Sequence, residues 1–165
     1  MKWIVFIYKV PSKPTKYRAY IWREIKKLGA LYLQDGVCIA PDTDDVHLFI
    51  GSLAEKVRQF EGQEFTFLSS TFSEEKDNEM IQQFNDARND EYRELIPWIQ
   101  RMEEYFIEEE AWEFSSVHIT KIREEFKKLL RQFQSIEARD YFESSLSSEI
   151  RLMIDRCRKR IVQRF

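Results

Sequence analysis

Glycine and proline are scarce in this sequence, with four residues of each among 165. Because both residues favour turns and interrupt helices, their scarcity argues against long loops and favours long helices. None of the glycines, at positions 29, 36, 51 and 62, lies in a Gly-rich phosphate-binding loop that follows a strand. The sequence therefore lacks a flavin or nicotinamide fingerprint, and we expect no cofactor.

Cysteine and histidine are scarcer still, with two residues of each. Cys38 and Cys157 lie far apart, and neither His47 nor His118 has a second ligand at metal-binding spacing. We expect no metal site and interpret both histidines as surface or helix-flank residues. The absence of a secretory segment and of a membrane-spanning apolar run predicts a cytoplasmic protein with reduced thiols and no membrane contact. No nucleophile, base and orienting residue can be assembled, so we predict that the chain is not an enzyme.

The first forty residues carry the clearest structural signals. Residues 2–10 are apolar and β-branched, which is typical of a strand buried on both faces, and Pro11 ends the run. Apolar residues then recur every three or four positions from 17 to 28, which predicts an amphipathic helix that Gly29 ends. Asp35-Gly36 lies between two short apolar segments and predicts a hairpin turn.

A second amphipathic helix and a fourth strand complete this part of the chain. Apolar residues recur from Val46 to Phe60, and Phe65 and Phe67 indicate a strand that ends near Ser73. The resulting order β-α-β-β-α-β is that of the ferredoxin-like plait, an α+β fold. We therefore expect residues 1–73 to form this plait.

Helical patterns fill residues 74–165. Ser73 can cap a helix whose apolar residues repeat at near-heptad spacing from 81 to 106, with Pro97 expected to kink or split it. Ser115 or Ser116 can cap the next helix, in which apolar residues from 119 to 136 step alternately by three and four. A final helix carries apolar residues from 150 to 161. We expect an antiparallel helical hairpin or bundle that packs on the plait as one compact unit.

The formal net charge is only −3, but the charges are unevenly distributed. Basic residues dominate the first 30 positions, acidic residues dominate 74–113, and the last helix is basic again. Such blocks can bind nucleic acid or anions, or they can pair with each other and remain solvated. Composition leaves both interpretations open.

Several short motifs occur in a fixed order along the chain. They are Trp3-(x)4-Tyr8-Lys9-Val10-Pro11-Ser12-Lys13-Pro14-Thr15, Trp22-Arg23, Lys27-Leu28-Gly29-Ala30-(x)3-Gln34-(x)-Gly36-Val37, Phe84-(x)2-Ala87-Arg88-(x)2-Glu91-Tyr92 and Glu137-Ala138-Arg139-Asp140-Tyr141-Phe142. Together they resemble the N-terminal region of the chromate resistance protein ChrB. The resemblance implies a cytoplasmic protein linked to chromate-responsive transcriptional control. Full-length members carry a C-terminal portion, expected to be missing here, in which sensing would reside.

The predicted plait is also similar, more distantly, to the ferredoxin-like domain of PaaX-type repressors and of CRISPR-adaptation nucleases. In those nucleases an aspartate at the end of the first strand is tied to metal-dependent activity. Lys9 stands in that neighbourhood here. Because a lysine cannot ligate Mg²⁺ as a carboxylate does, we expect a non-catalytic relative.

Candidate anion- or nucleic-acid-binding residues cluster on and beside the first helix. A helix N-terminus favours anions, including a tetrahedral dianion such as chromate, and aromatic and guanidinium groups add stacking and bidentate contacts. The candidates are Lys13, Lys16, Arg18, Trp22, Arg23 and Lys27. Their alternative is a solvated surface.

Four charged residues interrupt the apolar helical patterns. We interpret Arg88, Glu91, Arg139 and Asp140 as candidate structural ion pairs, buried or semi-buried, that join the helices to the plait, because charges at apolar seams are usually paired. Three functions stay open: a regulatory module that binds DNA or an oxyanion such as chromate, a protein-interaction or homodimerisation module, and a remnant metal-dependent nuclease.

Overall fold

The computed structural model describes the backbone of residues 1–111 and 116–164, and the side chains of 1–105 and 119–163. The predictions made for the Ser115 or Ser116 side chain as a cap, for the Phe106 side chain and for the His118 side chain lie outside the described residues. Within the described residues the chain forms one four-stranded antiparallel sheet and five α-helices. The α+β class is therefore confirmed.

The chain divides into two compact units, Met1–Phe84 (unit 1) and Asn85–Phe165 (unit 2). Unit 1 begins with six elements, and its strands lie in the order β2-β3-β1-β4 with every neighbouring pair antiparallel. They are β1 (Lys2–Lys9), α1 (Lys16–Leu28), β2 (Leu31–Gln34), β3 (Val37–Pro41), α2 (Asp44–Gln59) and β4 (Gln63–Ser70). The remaining elements are α3 (Glu74–Ala111), which begins in unit 1 and continues into unit 2, α4 (Ser116–Glu137) and α5 (Ser147–Arg164).

Two predicted helix boundaries of unit 1, at Gly29 and at Ser73, are confirmed. Gly29 ends α1 in the left-handed conformation, with φ 76°. The Thr43 side chain caps α2 by accepting a hydrogen bond from the Val46 amide at 3.3 Å. The Ser73 hydroxyl accepts from the Lys76 amide in the first turn of α3, also at 3.3 Å. Each cap satisfies a backbone group that a helix end leaves without an intrahelical partner.

The predicted hairpin also forms, with Asp35 and Gly36 between β2 and β3. Gly36 has φ 73°, and its carbonyl accepts a 2.7 Å hydrogen bond from the Tyr8 amide of β1. A Cβ atom at this position would lie only 2.5 Å from the Tyr8 carbonyl oxygen. Glycine is therefore required both by the backbone conformation and by the close approach of β1.

We expect Gly36→Val to lower the free energy of unfolding by at least about 1 kcal/mol, because a β-branched residue is strained at positive φ. Gly51→Ala in α2 is the matched control, since nothing lies within 4 Å of the added Cβ. That change should be neutral or stabilise by up to about 1 kcal/mol. Urea denaturation measures both, and an unchanged midpoint for Gly36→Val would contradict the tight turn.

The two faces of β1 differ in burial, although the sequence predicts burial on both. Ile4 and Phe6 are buried on one face. On the other face Trp3 is buried against α3, since its ring stacks on Phe84 with centroids 5.7 Å apart. Val5 and Ile7, which share that face, are only partly buried. The prediction is therefore wrong beyond the start of the strand, because the contact with Phe84 covers only Trp3.

The first turn of α3 is tied to β1 by a carboxylate. Asp77 accepts hydrogen bonds from the N-terminal amine, from Trp3 Nε1 at 2.7 Å and from the Thr71 hydroxyl at 2.9 Å. The amine, followed by the indole, holds the pKa of Asp77 below its ordinary range. These contacts, together with the Trp3–Phe84 stack, fix the start of α3 within unit 1.

The apolar residues predicted along the long helices converge in the core of unit 2. This core contains Tyr92, Leu95, Ile99, Met102, Ile122, Phe126, Leu129, Phe133, Ile136, Ile150, Ile154 and Cys157. All but Ile154 belong to the predicted patterns. Helix α3 passes through Pro97 without a break, so of the two predicted effects the split is wrong, whereas the kink stays a prediction. Leu95 and Ile99 are both buried beside the proline, and their burial offsets the roughly 3 kcal/mol that a proline costs inside a helix.

Both cysteines are free, buried thiols. Burial raises the pKa of Cys38 to about 12 and that of Cys157 to about 11, so both stay protonated at neutral pH. Among the helices in the described ranges, none combines the length and the apolarity that crossing a membrane requires.

Candidate functional site

A cleft of about 850 Å³ lies in unit 1 between α1, the end of β1 and the β2–β3 hairpin. Its walls are formed by Tyr8, Lys9, Val10, Thr15, Arg18, Ala19, Trp22, Tyr32, Gln34, Asp35 and Gly36. The volume falls within the range of small-molecule sites in proteins. We refer to this feature as the α1–hairpin cleft.

Two tyrosine hydroxyls meet inside the cleft. Tyr8 of β1 and Tyr32 of β2 lie 2.9 Å apart at their hydroxyl oxygens, although β3 separates their strands. Burial raises the pKa of both phenols, and the hydrogen bond raises that of Tyr32 further. Both groups are therefore neutral at physiological pH and available as hydrogen-bond donors and acceptors.

The α1 wall contributes two of the predicted binding residues. Arg18 is exposed and acts electrostatically on Tyr8, whose pKa it lowers in part. Trp22 is 48% exposed, and the Lys26 ammonium lies 4.6 Å from its ring centroid in a cation–π contact. The cleft therefore combines an aromatic surface with cationic groups.

The other predicted binding residues lie on or beside α1 but not in the cleft. Lys13, Lys16, Arg23 and Lys27 are all exposed. Lys27 forms an ion pair with Glu24, with Nζ and Oε1 2.6 Å apart, and Lys16 lies 5.7 Å from the Tyr17 ring centroid. The candidate set is thus divided between the cleft and the outer surface of the helix.

The candidate structural ion pairs come together in unit 2. Glu91 bridges two guanidinium groups, with 3.1 Å to Arg88 and 2.6 Å to Arg139. Asp140 instead accepts hydrogen bonds from the Tyr92 hydroxyl at 3.2 Å and from both the amide and hydroxyl of Ser144 at 2.9 Å. Two sequence motifs almost fifty positions apart therefore form one partly buried polar cluster.

Burial dominates the electrostatics of this cluster. Arg88 is only 5% exposed, and its desolvation lowers the pKa of the guanidinium while Glu91 opposes that effect. Its Nε and Nη1 atoms are buried without a hydrogen-bond partner in the structure. Arg88 therefore depends on Glu91 for its neutralisation, which is the usual requirement for a buried charge.

Comparison with known protein families shows which family this chain belongs to. A family model described as "Protein ChrB, N-terminal" matches residues 18–164, which is nearly the whole chain. The chain belongs to the ChrB N-terminal family. This membership makes it a chromate-resistance-associated protein. Arg18, Trp22 and the whole polar cluster of unit 2 lie within the matched residues, whereas Lys13, Lys16 and the β1 wall of the cleft precede them.

No curated protein shows a significant match to the chain. No solved structure does so either. The more distant similarity to PaaX-type repressors and CRISPR-adaptation nucleases is therefore unsupported by these comparisons.

The candidate site departs from the sequence expectation mainly in the hairpin and β1 residues. Tyr8, Tyr32, Gln34 and Asp35 line the cleft, but the sequence patterns indicated only strands and a turn at these positions. Their proximity depends on the strand order, since Tyr8 and Tyr32 meet across the β3 strand that lies between them. In the sequence, the only indication that these residues form a site was that Tyr8 and Tyr32 each lie near an end of a predicted strand.

Residue types that bind metals do not gather within the described residues. His47 pairs with Asp42, with Nε2 and Oδ1 2.7 Å apart on the exposed surface. In the part of the chain that the structure describes, no group of three or more histidine, cysteine, aspartate or glutamate side chains could hold a metal ion. Lys9, at the end of β1, lines the α1–hairpin cleft.

Proposed function

We propose that this member of the ChrB N-terminal family is a cytoplasmic regulatory protein of chromate resistance that binds nucleic-acid phosphates without catalysing their cleavage. The observation that carries the proposal is the exposed cationic surface of α1. Lys13, Lys16, Arg18, Arg23 and Lys27 are all exposed on or beside this one short helix. Exposed lysine and arginine side chains gathered on one helix are the usual means by which proteins contact phosphates.

The proposed fold of this module is the ferredoxin-like plait. The order of the first six elements, β-α-β-β-α-β, and the strand order β2-β3-β1-β4 both support that assignment. We assign α3, α4 and α5 to the helical hairpin or bundle that follows it, and the apolar core that they share in unit 2 supports this. In this arrangement α1 would present its basic residues as a rigid surface.

The absence of catalysis is part of the proposal. Lys9 stands at the end of β1, and its ammonium group does not ligate Mg²⁺ as a carboxylate would. An oxyanion such as chromate would be a further ligand of the same cationic residues, since a tetrahedral dianion presents the same acceptor oxygens as a phosphate.

A second candidate function is homodimerisation or another protein interaction. Phe65 and Phe67 on β4 are 59% and 52% exposed, and their rings stack with centroids 6.4 Å apart. They share a sheet face with the half-buried Val5 and Ile7 of β1, to which the register pairs them. Exposed apolar surface of this kind favours an interaction partner.

Reversing two exposed charges tests the phosphate-binding proposal. We expect Lys16→Glu combined with Arg23→Glu to weaken binding to a DNA duplex from upstream of the coding sequence, and to weaken it similarly for unrelated duplexes. Affinity falls with salt, and each lost phosphate contact should make the slope of log affinity against log salt shallower by about 0.9. The slope of the double variant should therefore be shallower by about 1.8. Fluorescence anisotropy between 50 and 200 mM salt, with and without chromate, measures this.

The matched control is Lys127→Glu combined with Arg131→Glu on α4, which changes the net charge equally at two exposed positions. Binding that falls equally in both double variants would indicate a response to net charge alone. Affinity that is insensitive to salt, or undetectable, would leave the α1 residues as a solvated surface. Incubation of the same duplex with Mg²⁺ or Mn²⁺ should leave it uncut, and cleavage that copurifies with the protein would contradict the non-catalytic proposal.

A further inference from the structure

The α1–hairpin cleft presents a flat aromatic surface at its α1 wall. Trp22 keeps 48% of its surface exposed and lies among the residues that line the cleft. Most tryptophans bury far more of their indole, because it is the largest apolar side chain. The Lys26 ammonium lies 4.6 Å from the ring centroid over one face, and the exposed remainder of the indole provides a stacking surface for a planar ring.

A guanidinium group stands one helical turn before this indole. Arg18 precedes Trp22 by four positions on α1, so the two side chains lie on the same side of the helix. Among the described residues, Arg18 forms no ion pair with a carboxylate. Its fork of N–H donors is suited to a carboxylate or another planar oxyanion.

The hydroxyl pair supplies a neutral hydrogen-bonding group at the opposite wall. When one of the Tyr8 and Tyr32 hydroxyls donates to the other across 2.9 Å, the accepting hydroxyl retains its own proton. That remaining O–H can donate to a ligand oxygen. Because burial raises the pKa of both phenols, the pair does not become a negative charge that would repel an anion at neutral pH.

One carboxylate restricts the charge that the cleft accepts. Asp35 lines the cleft, and its negative charge contributes to the raised pKa of Tyr8 and of Tyr32. The carboxylate therefore acts electrostatically on the hydroxyl pair. Lys9 and Arg18 oppose it with positive charge. A ligand with one anionic group at the Arg18 side is therefore favoured over one that carries several.

We propose that the α1–hairpin cleft binds a small aromatic carboxylate, with its ring on Trp22, its carboxylate at Arg18 and a polar oxygen at the Tyr8–Tyr32 pair. The cleft volume of about 850 Å³ accommodates a ligand of one or two rings. This site is a small-molecule site and does not rest on DNA binding by the outer surface of α1. A ligand in it would contact α1 from the inner side.

Isothermal titration with benzoate and indole-3-carboxylate tests the proposal on the full chain. We expect a dissociation constant of about 1 mM or tighter, and affinity at least about ten-fold higher than for acetate, which lacks the ring, or for benzamide, which lacks the charge. Adenosine monophosphate is a further arm, and tighter binding of this dianionic nucleotide would overturn the carboxylate assignment. The indole N–H resonance of Trp22, assigned by its loss in Trp22→Leu, should shift on titration.

Three variants locate the ligand. Trp22→Leu, Arg18→Gln and Tyr32→Phe should each weaken binding by about ten-fold, whereas Arg131→Gln on α4 should leave it unchanged. Far-UV circular dichroism and thermal unfolding establish that each variant is folded. Absence of binding at about 10 mM probe, or binding that none of the three variants weakens, would overturn the proposal. Neither result would alter the DNA titration, in which Lys16 and Arg23 lie outside the cleft.

Discussion

Phe126→Ala should lower the free energy of unfolding by about 3–5 kcal/mol, the range typical of a buried phenylalanine. Phe126 is 7% exposed in the core of unit 2, where it belongs to a cluster with Leu129 and Phe133 of the same helix. Removal of the ring deletes its apolar contacts and leaves a cavity that packed helices fill only in part. Urea denaturation should show a lower midpoint with an unchanged slope.

Lys128→Ala is the control for this change, because Lys128 lies on the exposed side of α4 and alanine preserves the helix. Its effect should stay within about 0.5 kcal/mol. The burial of Phe126 occurs within a single chain, so the loss should appear in unfolding and not as dissociation in sedimentation. A loss for Phe126→Ala no larger than that of the control would mean that the apolar seam faces water.

Glu91→Gln should also destabilise strongly, by about 3 kcal/mol. Glu91 neutralises both Arg88 and Arg139, and Arg88 is almost fully buried. Glutamine preserves the shape of the Glu91 side chain but removes its negative charge. The neighbouring guanidinium groups of Arg88 and Arg139 would then lose the charge that neutralises them. Breaking a buried ion pair from one side costs about 3–5 kcal/mol, and the partial exposure of Glu91 places this case at the low end.

Glu94→Gln is the matched control, since it makes the same chemical change at an exposed position on the same helix. We expect it to change stability by no more than about 0.5 kcal/mol. Thermal and urea unfolding of both variants measure the difference. Equal effects of the two substitutions would show that the cluster behaves as an ordinary solvated set of charges.

Local sequence signals predicted most of the secondary structure because each depends on a few neighbouring residues. Gly29 ends α1, Asp35-Gly36 forms the hairpin, and Ser73 caps α3. The apolar patterns of α3 and α4 likewise predicted most of the core of unit 2, since residues three and four apart lie on one helical face. At Pro97 the predicted alternative of a split is wrong, because burial of the neighbouring residues keeps the helix continuous.

The candidate site was predicted less completely because its residues come from separate elements. The basic residues of α1 follow from a single helix pattern, and Arg18 and Trp22 were selected on that basis. The other wall of the cleft requires Tyr8 and Tyr32 to meet across β3, which depends on strand order. The pairing of the charges in unit 2 could not be predicted for the same reason, because the partners lie on separate segments. Glu91 bridges two arginines, whereas Asp140 accepts hydrogen bonds from hydroxyls and an amide.

The sequence by itself determined the α+β class, the order of the elements, the hairpin and the family, because these are recorded in local spacing and in motifs along the chain. Only the tertiary structure decided which face of β1 is open, which residues enclose the cleft and how the unit 2 charges pair. Those features depend on side chains that are distant in sequence and meet only once strands and helices have packed. The free energy of such contacts depends on how much surface is buried and on the geometry of the hydrogen bonds. Both are set by the packing of several segments, so no single stretch of sequence determines them.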